Sequence, residues 1–147
     1  MERQEFLKTL GISFAAVCVG SCISACGKKD DVAPQQTTPP PAGTFVNADL
    51  SKFTSVGFKE IVSGIAIFRI ATGDTAASFI AIQPLCTHQG GVLNWVASSN
   101  LIQCVSHGAQ FSAIGVNTRP PQTPGGAPNL KTYVVSVANG VVSAKIA

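Results

Sequence analysis

Beyond Gly43 the chain is written in short apolar runs separated by turn residues. Runs rich in Val, Ile and Phe occupy residues 58–62, 64–71, 77–83, 92–96, 101–104, 131–137 and 141–146. Such runs, bounded by Gly, Asn, Asp and Ser and carrying many β-branched and aromatic side chains, read as strands. Asn139-Gly140 lies between the last two, and both residues tolerate positive φ, so it predicts a two-residue hairpin turn. No stretch after Gly43 sustains a helical repeat. The pattern predicts an all-β, antiparallel domain with long loops. Trp95 and Tyr133 fall inside apolar runs and are read as packed aromatics rather than as a partner anchor or a redox relay.

The N-terminal pattern is different. Residues 1–8 carry Arg3 and Lys8, and residues 9–27 contain no charge and many apolar side chains, as an export signal does. Ile23-Ser24-Ala25-Cys26 resembles the lipobox of bacterial lipoproteins, which implies cleavage before Cys26 and lipidation of its thiol. Val19-Gly20-Ser21-Cys22 fits less well against the polar stretch that follows, and Cys18 and Cys22 are read as small apolar residues of the segment. The alternative is an uncleaved helical anchor, for which roughly 20 apolar residues suffice. Either reading tethers the domain on the extracytoplasmic side of a bacterial membrane, periplasmic or at the cell surface. Arg3-Gln4-Glu5-Phe6-Leu7-Lys8 is similar to a twin-arginine signal with Gln4 in place of the second arginine. Residues 27–43 are polar and Pro-rich, and Pro39-Pro40-Pro41 favours an extended polyproline conformation. As a flexible tether they would reach roughly 20 to 25 Å. The expected organisation is an export segment over 1–26, a linker over 27–43 and one domain over 44–147.

Composition narrows the function. The chain is 46% hydrophobic and 12% charged, about half the usual charged share, and its net charge of +3 is scattered rather than gathered into a basic stripe. Nucleic acid is excluded as an expected partner. The chemistry-bearing residues are few. Of five cysteines only Cys86 and Cys104 lie beyond the linker, and the chain's two histidines are His88 and His107. These four form two short motifs, Cys86-Thr87-His88 and Cys104-Val105-Ser106-His107, each just after a strand-like run. A lone Cys or His is usually a buried structural residue, but here the whole ligand inventory falls into two matched pairs.

The double motif resembles that of the Rieske family, Cys-x-His followed after about fifteen to seventeen residues by Cys-x-x-His. The intervening segment, Gln89 to Gln103, has fifteen residues. The resemblance runs on through Gln89-Gly90 and Gly108-Ala109-Gln110-Phe111 to Pro124-Gly125-Gly126-Ala127-Pro128, where the family's Gly-Pro-Ala order is changed. It implies an antiparallel Rieske-type domain with two cluster-binding loops and a proline loop, holding one [2Fe-2S] cluster. Cys86 and Cys104 would then bind the buried iron, His88 and His107 the outer iron, and residues 119–128 would cover them. The charge balance agrees. Two ferric ions and two sulfides carry about +2, so two thiolates and two neutral imidazoles leave the oxidised centre near neutral and ease the entry of an electron. The rival for the same donors is structural zinc, which would make the domain an interaction module. Zinc sites usually pair Cys with Cys and His with His, whereas here each Cys is paired with a His.

The resemblance also implies a role. Both histidines are used by the cluster, so none remains for the mononuclear iron of a Rieske oxygenase, and any catalysis belongs to an oxidoreductase partner. Respiratory members carry an extra cysteine in each cluster loop, joined as a disulfide; the matching positions here are Gly91 and Ser106. Two roles stay open: a membrane-tethered carrier between redox proteins, and the Rieske subunit of a quinol-oxidising cytochrome bc-type complex. Ala109 and Phe111 stand where the high-potential members have a Ser and a Tyr that donate hydrogen bonds to sulfur, which implies a lowered potential. Arg119 is read as a solvated loop charge. For the anchor, mass spectrometry of the mature N-terminus is expected to find a lipid-modified Cys26. An unmodified cleaved terminus or a retained Met1 would reject the lipoprotein reading, and a retained Met1 would favour the helical anchor.

Overall fold

The computed structural model describes residues 41–146, and in them the apolar runs become antiparallel strands. The strands are β1 (Phe45–Asp49), β2 (Lys59–Val62), β3 (Ile65–Arg69), β4 (Phe79–Ile82), β5 (Leu93–Val96), β6 (Leu101–Cys104), β7 (Gln110–Phe111), β8 (Asn117–Arg119), β9 (Thr132–Ala138) and β10 (Val141–Lys145). They form a six-stranded sheet in the order β1-β10-β9-β4-β3-β2 and a four-stranded sheet in the order β5-β6-β7-β8. The only helices among the described residues are the 3-10 turns Leu50–Lys52 and Ala76–Ser78. The domain is all-β, as the pattern predicts. None of its helices is long and apolar enough to cross a membrane. The export segment, Cys26 and the linker as far as residue 40 lie outside the described residues.

Most turns follow from local chemistry. Asn139 and Gly140 have φ of 52° and 74°, and Ala138 pairs with Val141, which makes the expected tight hairpin. Ser63 and Gly64, with φ of 46° and 77°, do the same between β2 and β3. The run over 77–83 becomes strand only from Phe79. Its first residues form a 3-10 turn in which the buried Ser78 donates its hydroxyl to Thr72 O at 3.1 Å.

β3 organises the interior because it is buried on both faces, and side chains along a strand alternate between them. Ile65 and Ile67 enter one core with Val46, Phe53, Phe79, Tyr133 and Val142. Ala66 and Phe68 enter a second core with Leu93, Trp95, Ile102, Phe111 and the two thiol residues Cys86 and Cys104. The second core joins the four-stranded sheet to the six-stranded one. Phe68 is fully buried there, whereas Val134 on β9 is 71% exposed. Phe68→Ala is therefore expected to cost about 3 to 5 kcal/mol in urea denaturation, against at most about 0.5 kcal/mol for Val134→Ala. Equal losses would contradict the two-core account.

Candidate metal centre

The two motif loops are built alike. In the first, Cys86 N donates to Gly91 O at 2.8 Å and Gly90 N donates to Cys86 O at 2.9 Å. In the second, Cys104 N donates to Ala109 O at 2.8 Å and Gly108 N donates to Cys104 O at 3.0 Å. Each cysteine thus closes a turn onto the residues four and five positions ahead, and the residue at four is a glycine with positive φ, 72° at Gly90 and 69° at Gly108. A side chain would be strained at either position. The loops are joined at their necks, where Val105 N donates to Val92 O at 3.0 Å and Leu93 pairs with Cys104 across β5 and β6.

This closure sorts the four donors by depth. Cys86 and Cys104 are 3% and 2% exposed, and neither is in a disulfide. Burial pushes the Cys86 thiol up from its usual range, the main-chain N–H groups of His88 and Gln89 pull against that by hydrogen bonding to it, and the adjacent Cys104 pushes the same way as burial. The imidazoles are half-buried above, edge to face at 80°, with His88 Nδ1 and His107 Nδ1 3.2 Å apart. His88 Nε2 lies 3.2 Å from Pro124 O. A carbonyl only accepts, so this bond places the His88 proton on Nε2 and leaves the Nδ1 lone pair facing His107.

The proline loop touches both motif loops. Besides the His88 contact, Thr87 Oγ1 donates to Pro128 O at 2.5 Å and Gln122 N donates to His107 O at 2.8 Å. Glycine is required at two points around the donors. A Cβ on Gly91 would collide with the Ser106 hydroxyl and lie 2.8 Å from Cys104 Sγ, and one on Gly125 would lie 3.1 Å from His88 Nε2. Gly91 and Ser106, the positions matching the loop disulfide, do face each other: the same Cβ would stand 2.9 Å from Ser106 Cβ. Trp95 and Tyr133 are buried, as expected of packed aromatics, and Trp95 Nε1 has no hydrogen-bond partner among the described residues. Arg119 is solvent-exposed, at the end of β8 rather than in a loop.

These residues fit a two-iron centre. Two nitrogens 3.2 Å apart span two metal–imidazole bonds of about 2.0 to 2.1 Å meeting at roughly 100°. Among the described residues no three His, Cys, Asp or Glu side chains converge as a single ion would require. The donors stand as a buried thiol pair and a half-buried imidazole pair, the two-and-two division expected of a Rieske centre. Gly90 and Gly108 fall within the sequence resemblance, but their shared role in closing the loops by positive φ is not read there. Their signal was present, since each stands four residues after a motif cysteine.

The chain is 35% identical over 60 residues to the chloroplastic cytochrome b6-f complex iron-sulfur subunit of Chlamydomonas reinhardtii, covering 41% of this chain and 29% of that one. It is 35% identical over 78 residues to the cytochrome b6-f complex iron-sulfur subunit of Synechococcus elongatus, covering 49% and 44%. The chain therefore spans less than half the length of these relatives. Among solved structures it is similar to the cyanobacterial plasma membrane Rieske protein PetC3 of Synechocystis, at 26% identity and a TM-score of 0.44, covering 55% of this chain and 75% of that one. The model of the Rieske [2Fe-2S] domain family matches residues 44–134, more than half of the chain; the protein belongs to the Rieske family, and its domain carries one [2Fe-2S] cluster, a one-electron carrier.

Proposed function

We propose that Cys86 and Cys104 hold the inner iron and His88 and His107 the outer one, and that the protein serves as a membrane-tethered electron carrier between redox proteins. The observation that carries the ligand assignment is the pair of identically closed loops, which bury both thiols and bring the two imidazole Nδ1 atoms to 3.2 Å. When bound, the cluster supplies reversible one-electron chemistry with little change in bonding. The chain does the rest. The His88 and Gln89 amides disperse charge on the Cys86 sulfur, the Pro124 carbonyl fixes the His88 tautomer, and Gln122 N–H anchors the His107 main chain. Without a disulfide, the proline loop is the clamp, through its bonds to Thr87, His88 and His107.

The tether is read from the export segment and the Pro-rich linker, with Cys26 as the lipid-bearing residue and residues 44–147 as the domain it carries outside the cytoplasm. A second reading, the Rieske subunit of a quinol-oxidising cytochrome complex, is favoured by the names of the b6-f relatives. Gly91 in place of the disulfide cysteine, together with Ala109 and Phe111, weighs for the carrier.

His88→Ala and His107→Ala are each expected to abolish the Rieske EPR signal of the reduced protein, whereas Gln122→Ala, which keeps the main-chain bond to His107 O, retains it. A wild-type spectrum from either histidine variant would reject the ligand set. Ala109 and Phe111 are fully buried beside the thiols and offer sulfur no hydroxyl donor. The midpoint potential is expected in the lower half of the Rieske range of about −150 to +300 mV, and Ala109→Ser with Phe111→Tyr should raise it. A potential near the top of the range would argue for the quinol-linked reading.

A further inference from the structure

Lys59 is half-buried where two sheet edges meet. It lies on β2, the outer strand of the six-stranded sheet, and its Nζ donates to Leu93 O at 2.9 Å on β5, the outer strand of the four-stranded sheet. The geometry of β5 explains why that carbonyl is available. Val105 N donates to Val92 O, so Val92 and Val105 form a hydrogen-bonded pair, and the next pair, Leu93 and Cys104, is a narrow one whose main-chain polar groups turn outward. The other neighbours of the ammonium are Asn94 Oδ1 at 3.4 Å and the Phe68 ring, 5.6 Å away at its centroid, and Phe68 shares a core with both thiol residues.

Among the described residues no acid pairs with this ammonium. The acids of the described residues are Asp49, Glu60 and Asp74; Asp49 accepts from Ser51 N, Glu60 pairs with Lys52 and Asp74 pairs with Arg69. Glu60 follows Lys59 in sequence, but neighbouring residues of a strand point to opposite faces. Burial alone pushes the Lys59 ammonium below its usual range, with no opposing ion pair. A lysine that only pinned two sheet edges together would lose nothing by having a carboxylate beside it.

We infer that Lys59 is a positioning residue for the redox step: its unneutralised charge, fixed at the edge strand that faces Cys104, stabilises the electron-loaded centre and raises its reduction potential. This rests on the ligand assignment above. Allowing roughly 4.5 Å for the narrow pair and about 2.9 Å for the hydrogen bond, the ammonium lies on the order of 10 Å from the Cys104 side chain. The path runs through packed protein, where salt screens a charge less than it does in water. Reduction adds one negative charge to the centre, so a fixed cation at this range favours the reduced form.

The test is the midpoint potential of the holoprotein by film voltammetry, with the EPR spectrum recorded alongside. Lys59→Met removes charge and hydrogen bond, Lys59→Gln removes the charge and keeps a donor for Leu93 O, and Lys59→Arg keeps both. Met and Gln are expected to lower the potential together, in low and high salt alike, while Arg and the exposed-site control Lys145→Met stay at the wild-type value. An unchanged potential in a neutral variant with an intact Rieske spectrum overturns the inference, as does a fall in Met that is absent in Gln, which would assign the effect to the hydrogen bond. If both neutral variants fail to assemble a cluster while Arg assembles one, Lys59 is a structural tether and the inference is again overturned. A wild-type protein without a Rieske spectrum would instead remove the ligand assignment itself.

Discussion

Two thiols buried side by side resist ionisation, since each loses hydration and each thiolate would repel the other. Cys86 is in that position, buried beside Cys104 in the core beneath β3. Thiols bind iron as thiolates, so as a proposed ligand Cys86 would be a reluctant anion that a multiply charged core offsets. The amides aimed at the Cys86 sulfur meet part of this electrostatic requirement, and the charge inferred to act from Lys59 would meet another.

The same requirement explains why the loops are alike. A cysteine that must present its sulfur inward while a nearby histidine stays near the surface needs the chain to reverse within a few residues. Gly90 and Gly108 take the positive φ that this reversal demands. The proline loop then bonds to both turns, and Gly91 lets the two loops approach closely beside Cys104 Sγ. Clamping by hydrogen bonds to the main chain of the proline loop and of His107, rather than by a disulfide, leaves this site free of any dependence on a thiol–disulfide balance.

Sequence reading reached the strands that are apolar enough to declare themselves, including β3 through Ile65, Ala66, Ile67 and Phe68 and the hairpin at Asn139-Gly140. It also picked out the four residues proposed as donors, because the chain beyond the linker has only these two cysteines and two histidines. It missed β1, where the inward residues Val46 and Ala48 are small and their neighbours polar, and β7 and β8, which are two and three residues long and owe their existence to pairing, β7 with β6 and β8 with β7. A strand of Asn117, Thr118 and Arg119 carries no pattern of its own; tertiary context makes it one. Nor could spacing show that Pro124 would meet His88, or that Lys59 would cross from one sheet to the edge of the other. Contacts between segments more than thirty residues apart depend on the fold, not on local composition.

The central claim is that one iron is bound by both imidazoles through Nδ1. Because the chain contains only two histidines, selective nitrogen labelling of that residue makes the question direct. Electron–nuclear double resonance on the dithionite-reduced protein, labelled with 15N at histidine Nδ1, should resolve two strongly coupled nitrogens on a single [2Fe-2S] centre. Coupling from one nitrogen alone, coupling that appears only with Nε2 label, or a cluster without histidine coupling would contradict the account.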